Sequence, residues 1–190
     1  MSDHIRYSLD AVQSQFTVHA FASGLAAVVA HNPKFAIRAL SGEAQFIPDT
    51  LRDASIRVRI KATSLELMDE VSEYDRGEID RVMFSEVLEV SRFPEIVYAS
   101  TQTSALRLSE NLYATTIAGK LTLHGVTNEL GFSSQVVIGE DTLRGYGSFL
   151  VKQTEYAIPM ASIAGGTLKM KDELKVAFFI VAKKPGSSYD

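Results

Sequence analysis

Apolar and polar residues alternate with a period of two along most of this chain. In residues 55–62, Ile56, Val58, Ile60 and Ala62 share one face, and Ser55, Arg57, Arg59 and Lys61 share the other. That pattern predicts a strand buried on one side and wet on the other. Near the C-terminus, Leu174, Val176, Phe178 and Ile180 share a face, while Phe179 and Val181 make the opposite face apolar as well. Similar runs occupy 16–21, 35–46, 95–100, 113–123, 130–138 and 143–152, which gives about eight strands. Turn residues punctuate them at Asn32-Pro33, Pro48-Asp49, His124-Gly125, Gly139-Glu140-Asp141 and Gly165-Gly166. Ser41-Gly42 interrupts the alternation inside one run and predicts a bulge there. Successive hairpins of this kind fold as an antiparallel meander.

One segment follows a different period. From Asp75 to Val90, apolar residues fall at Ile79, Val82, Met83, Val87 and Val90, three and four apart. The spacing predicts an amphipathic helix of about four turns, stopped near Phe93-Pro94. The expected fold class is therefore all-β, a single closed antiparallel barrel of about eight strands with one amphipathic helix. Residues 1–184 form the barrel in this reading, and 185–190 a frayed tail. Phasing the strands points Phe16, Val18, Ala20, Phe35, Ile37, Ala39, Ile56, Val58, Ile60, Ile96, Tyr98, Ile117, Gly119, Leu121, Phe149 and Val151 inward. A barrel of this size is filled by side chains or holds one small ligand, and the alternation alone does not separate the two. Ala20, Ala39 and Gly119 are small, which leaves room.

Composition removes several functions. The chain has 190 residues and a net charge of −4, so it offers no basic face to a nucleic acid. It has no cysteine, which excludes disulfides, thiol catalysis and cysteine-ligated metals. The longest apolar runs, 24–30 and 176–182, fall far short of the roughly 20 residues that a spanning helix needs, so no stable membrane insertion is expected. The first residues carry no basic and apolar leader, and the expected address of the chain as written is cytoplasmic, or periplasmic if a leader was removed.

Candidate chemistry is sparse. His4, His19, His31 and His124 form no HxH, HxxxH or HExxH pair, and no metal or other cofactor is expected. No GxSxG elbow, P-loop or dinucleotide fingerprint occurs. Gly145-Tyr146-Gly147 reads as close packing inside a strand. The acids Glu66, Asp69, Glu70, Glu73, Asp75, Glu78 and Asp80 gather near the helix start, where the helix dipole favours them in any case.

The hairpin Gly119–Leu130, GKLTLHGVTNEL, resembles the signature hairpin of the YceI-like family of lipocalin-like polyisoprenoid-binding barrels. Five further stretches resemble the family in order: Tyr7–Phe21, Leu40–Asp49, Glu86–Gln102, Val151–Ile158 and Leu168–Lys184. The resemblance covers residues 7 to 184. It implies a lipocalin-like barrel that holds a long apolar ligand (an isoprenoid, isoprenoid quinone or fatty-acid derivative) and has no catalytic activity. It also implies a homodimer, which would cover the outward Phe179 and Val181. The ligand-binding residues expected on this basis are Phe16, Val18, His31, Phe35, Ile37, Val58, Ile60, Ile96, Tyr98, Leu121 and Phe149.

Two other readings stay open at this stage. The chain could be an enzyme acting on such a ligand through His124 or His31 with a nearby Glu or Tyr, or an interaction domain with a fully packed barrel. The apolar stretch Gly24–Ala30, ending at His31, is expected to continue the first strand or to form a loop at the barrel mouth. Its small side chains would admit a chain-like ligand, or would pack a closed barrel end.

Overall fold

The computed structural model describes residues 4–23, 32–47, 51–160, 162–163 and 168–186. The stretch 24–31, with His31, lies outside the described residues, as does most of the Gly165-Gly166 turn region. Strands form where the alternation lies: β1 (Ile5–Leu9), β2 (Gln15–His19), β3 (Ala22–Ser23), β4 (Lys34–Ile37), β5 (Leu40–Ile47), β6 (Arg52–Lys61) and β7 (Leu65–Leu67). After the helix α1 (Glu73–Val82) come β8 (Glu95–Arg107), β9 (Leu112–Leu123), β10 (Val126–Ile138), β11 (Thr142–Lys152), β12 (Ser162–Ile163), β13 (Leu168–Met170) and β14 (Glu173–Lys183).

The ring runs β1-β5-β6-β8-β9-β10-β11-β14 and closes where β14 pairs β1 through Ser8↔Lys183 and Leu9↔Ala182. The first half of β14 pairs β2 instead, from Lys175↔His19 to Phe179↔Gln15, and β4 and β7 follow outward from β2. Thus β1/β2, β5/β4 and β6/β7 are each one bent strand in two pieces. The bends lie at Asp10–Ser14, Arg38-Ala39 and the 3-10 turn Ala62–Ser64. At the first, Asp10 Oδ1 accepts the Val12 and Gln13 N–H groups, both at 3.0 Å. The result is the expected closed, eight-stranded antiparallel barrel with one helical segment. Strands β12, β13 and β3 pair with one another in a second, three-stranded sheet.

One end of the barrel is plugged. Tyr7, Phe46, Leu51, Tyr113, Leu143 and Ala182 form a buried cluster there, with Tyr7 stacked on Phe46 at 5.5 Å. Tyr7 is only 1% exposed.

Four local expectations change. Ser41 and Gly42 pair regularly with Arg59 and Val58, and the register shift falls at Gln45/Ile47. Gly42 is needed for close approach instead, since a Cβ there would stand 2.3 Å from the Arg57 carbonyl. Strand β8 runs seven residues past Ser100, because ladder pairing to β9 continues through a second register shift although the side chains there are mostly exposed. The helix begins at Glu73, with Ser72 capping the Asp75 N–H, and is α-helical only to Val82. A π-helical turn, Met83–Val87, follows, with the Leu88 N–H donating to the Met83 carbonyl at 2.8 Å. Finally, Val181 needs no partner chain to cover it. It is 3% exposed, and its N–H donates to Ser14 Oγ at 3.0 Å.

Among the described residues no helix is long and apolar enough to cross a membrane.

Candidate ligand-binding site

Every second residue of the ring strands points inward, and the inward residues do not meet at the centre. They enclose a cavity of about 780 Å³. Of the residues expected at a binding site, Phe16, Val18, Phe35, Ile37, Val58, Ile60, Ile96, Tyr98, Leu121 and Phe149 all line it. His31 is not described. Ala20, Ile56, Ile117 and Val151, phased inward with them, line it as well.

Two residues expected to leave room do not line it. Ala39 lies at the break between β4 and β5. Gly119 is covered, because a Cβ there would stand 2.5 Å from the Tyr98 hydroxyl oxygen. The Tyr98 ring crosses β9 at this glycine and donates to the Leu130 carbonyl on β10 at 3.2 Å. Burial pushes the Tyr98 phenol up to about 12, so it remains a neutral donor.

The sequence reading missed an aromatic group in the wall. Phe132 on β10 lies 5.1 Å from Phe149, 5.4 Å from Tyr98 and 5.4 Å from Phe178. Phe178 belongs to the apolar face of β14, which also supplies Leu174, Val176 and Ile180 to the lining. The helical segment is a wall too, contributing Ile79, Val82, Met83, Val87 and Leu88. Its spacing of three and four marked an apolar face without showing that the face turns into the barrel.

The cavity has a floor and a mouth. Leu143 in the lining belongs to the buried plug, while Asp69, Val71, Asp75 and Glu78 line the far end, beyond β7 and at the start of α1. Asp75 and Glu78 are exposed and Asp69 is half-buried.

His124 does not line the cavity. It sits in the two-residue turn between β9 and β10, where His124 and Gly125 have φ of 51° and 74°. Positive φ at both positions is the type I′ hairpin geometry. The ring is held by acceptors, Glu89 Oε2 at 2.8 Å from Nε2 and the Tyr156 carbonyl at 3.2 Å from Nδ1, and by Phe93 at 4.6 Å. Arg92 beside Glu89, with a lesser contribution from His124, holds the Glu89 carboxyl below the usual carboxylate range. Among the described residues no three His, Asp or Glu side chains are placed to hold a metal.

Comparison with known proteins places these features in a wider set. The YceI-like domain matches residues 7–182. Among solved structures, BcnA of Burkholderia cenocepacia superposes with a TM-score of 0.71 at 18% identity, covering 92% of this chain and 99% of that one. A polyisoprenoid binding domain from Saccharophagus degradans, implicated in plant cell wall breakdown, gives 0.68 at 15% identity, with 95% and 99% covered. The Campylobacter jejuni YCEI protein gives 0.60 at 13%, with 82% and 86% covered. At such identities these structures speak for the fold. No curated protein matches the sequence.

Proposed function

This chain belongs to the YceI-like family, and from that premise we propose that it binds and carries one long apolar ligand inside the barrel without transforming it. The ligand class is an isoprenoid, an isoprenoid quinone or a fatty-acid derivative. One observation carries the reading: the barrel interior is an apolar cavity of about 780 Å³, floored at one end and open at the other. Pockets for small ligands occupy roughly 300–1,000 Å³. The Saccharophagus degradans relative, described as a polyisoprenoid binding domain, supports the same class.

Chain burial supplies the affinity. Each methylene removed from water contributes about 0.8 kcal/mol, so ten contribute about 8 kcal/mol before the cost of ordering the chain. Affinity therefore rises with tail length until the bore is full.

The absence of a catalytic step is supported by the placement of the ionisable groups. His124 is committed to Glu89 and the Tyr156 carbonyl outside the cavity, and Tyr98 is neutral and donates to the Leu130 carbonyl. A homodimer is supported by Tyr146 and Phe179, cross-strand partners on β11 and β14 that are 44% and 38% exposed. Sedimentation of the purified chain measures that state directly.

Native mass spectrometry of protein purified from its own host, followed by lipid extraction, tests the binding proposal. The expected result is one long-chain apolar molecule per chain. Protein that carries none, and takes up none from a mixture of long-chain isoprenoids and fatty-acid derivatives, would overturn it.

A further inference from the structure

The cavity lining includes few polar side chains, and most are already engaged. Tyr98 donates to the Leu130 carbonyl, and Ser134 pairs with Thr115 at 2.6 Å. Asp69 accepts the Lys34 N–H at 2.8 Å. Gln153 differs. It is 6% exposed, and its Nε2 donates to the Lys171 carbonyl at 2.9 Å and the Asp172 carbonyl at 3.4 Å. Both partners are acceptors, so the orientation of the amide is fixed by chemistry. The NH₂ group faces the turn into β14, and Oε1 is left over. Among the described residues nothing donates to that oxygen. Among the described residues the buried side-chain atom without a partner is Thr103 Oγ1, so Gln153 Oε1 keeps access to the cavity space, where a ligand can donate to it.

Gln153 lies at the end of the cavity away from the floor. It follows β11 directly, and Leu143 in the floor lies ten residues earlier on the same face, roughly 33 Å away along an extended strand. The charged groups lining the cavity are Asp69, Asp75 and Glu78, all acidic and all beyond the open ends of β6 and β7. No described lysine, arginine or histidine side chain lines it.

We infer that Gln153 Oε1 is the acceptor for the polar end of the ligand, that this end is a neutral hydrogen-bond donor (a hydroxyl, phenol or primary amide), and that the mouth disfavours ionised carboxylates and phosphates. The inference rests on the chain-binding function proposed above. The tail enters first and lies against Phe132, Phe149 and Phe178, leaving the head beside Gln153. A carboxylate or phosphate in that place would set acceptor against acceptor, in a cavity whose charged lining is acidic and in which only Glu78 has an arginine partner, Arg81 at 3.3 Å.

Displacement of an apolar fluorophore from delipidated protein tests this with ligands that share one long prenyl tail: the alcohol, its methyl ether, the ionised acid and the monophosphate. The alcohol should outcompete the ether by about 2- to 10-fold, the ratio expected for one net hydrogen bond. The acid and the phosphate should bind more weakly than the ether, by a margin that shrinks as salt is added. Gln153→Met removes the acceptor at similar length and should make alcohol and ether equal. Gln153→Arg can still donate to the Lys171 and Asp172 carbonyls but presents donors to the bore, and should invert the order in favour of the acid. The arginine variant decides the matter if the methionine variant fails to fold. Equal binding of alcohol and ether by the parent chain, or an unchanged order in Gln153→Arg, would overturn the inference while leaving the bore a binding site. Failure of all four ligands, the ether included, would instead overturn the binding proposal itself.

Discussion

Tyr98 and Gly119 show how single residues shape the bore. The tyrosine ring lies across the glycine, and the space that a small residue seemed to leave open is filled by its neighbour. Gly119→Ala places a methyl group 2.5 Å from both the Tyr98 hydroxyl oxygen and the Ala99 carbonyl. It should destabilise the fold by about 1–3 kcal/mol, the usual cost of overpacking, seen as a lowered thermal midpoint. An unchanged midpoint would show that the ring moves aside freely. Inward residues such as Val58 and Ile60 were legible because their neighbours Arg57, Arg59 and Lys61 are charged, so the period of two stands out. Phe132 was not. Gly131, Ser133 and Ser134 surround it with small residues that do not define a face. Gln153 was hidden for another reason. Its significance lies in which carbonyls its amide reaches, Lys171 and Asp172, and sequence spacing says nothing of those.

Elements that turn sharply were the hardest to read and are the most exposed to mutation. The run 35–46 is one strand in pattern and two in the structure, because Arg38-Ala39 bends it between two pairing partners. The helix pattern ran on to Val90, yet the π-helical turn at Met83–Val87 ends it sooner and brings Met83, Val87 and Leu88 to the cavity. Hydrophobic spacing of three and four does not distinguish an α turn from a π turn so short. The β9–β10 hairpin, by contrast, was plain from His124-Gly125. Its turn is clasped from outside, with Phe93 packed over the glycine and Glu89 bonded to the histidine. Gly125→Ala combines a φ of 74° with a Cβ 2.5 Å from the Phe93 ring. Left-handed backbone costs an L side chain roughly 1–2 kcal/mol, and the ring contact adds to it. A chemical denaturation curve should show that loss with an unchanged slope. Stability equal to the parent would mean that the turn relaxes at no cost.

At the scale of the whole molecule, closure depends on Ser8↔Lys183 and Leu9↔Ala182, pairs between distant parts of the chain that no local pattern encodes. Closure was expected from strand number and from resemblance. Lys183 also reaches Asp10 Oδ2 at 2.7 Å, and this contact is the main cause that holds the Asp10 carboxyl below its usual range. Arg38 does the same for Glu66, Arg92 for Glu89 and the Thr154 N–H for Asp172. A carboxyl depressed in the folded state stabilises it above the unfolded pKa, about 4, and that contribution is lost as pH falls through the lower folded value. The thermal midpoint should stay level from pH 8 to about 5 and fall progressively below about 4. A midpoint that instead dropped between pH 8 and 6 would contradict these assignments.

The central claim is that the bore is hollow and admits a chain. Ile60 lines the cavity yet is only half-buried, because its inner side meets empty space. Ile60→Trp should fill part of that space at less than the usual cost of overpacking. Titration of parent and variant with a fluorescent long-chain probe, beside a thermal melt, is the most direct measurement. The account predicts saturable binding by the parent at one probe per chain, binding lost in Ile60→Trp, and midpoints within about 2–4 °C of each other. A parent chain that binds no probe, or a variant that binds as before or melts far lower, would contradict it.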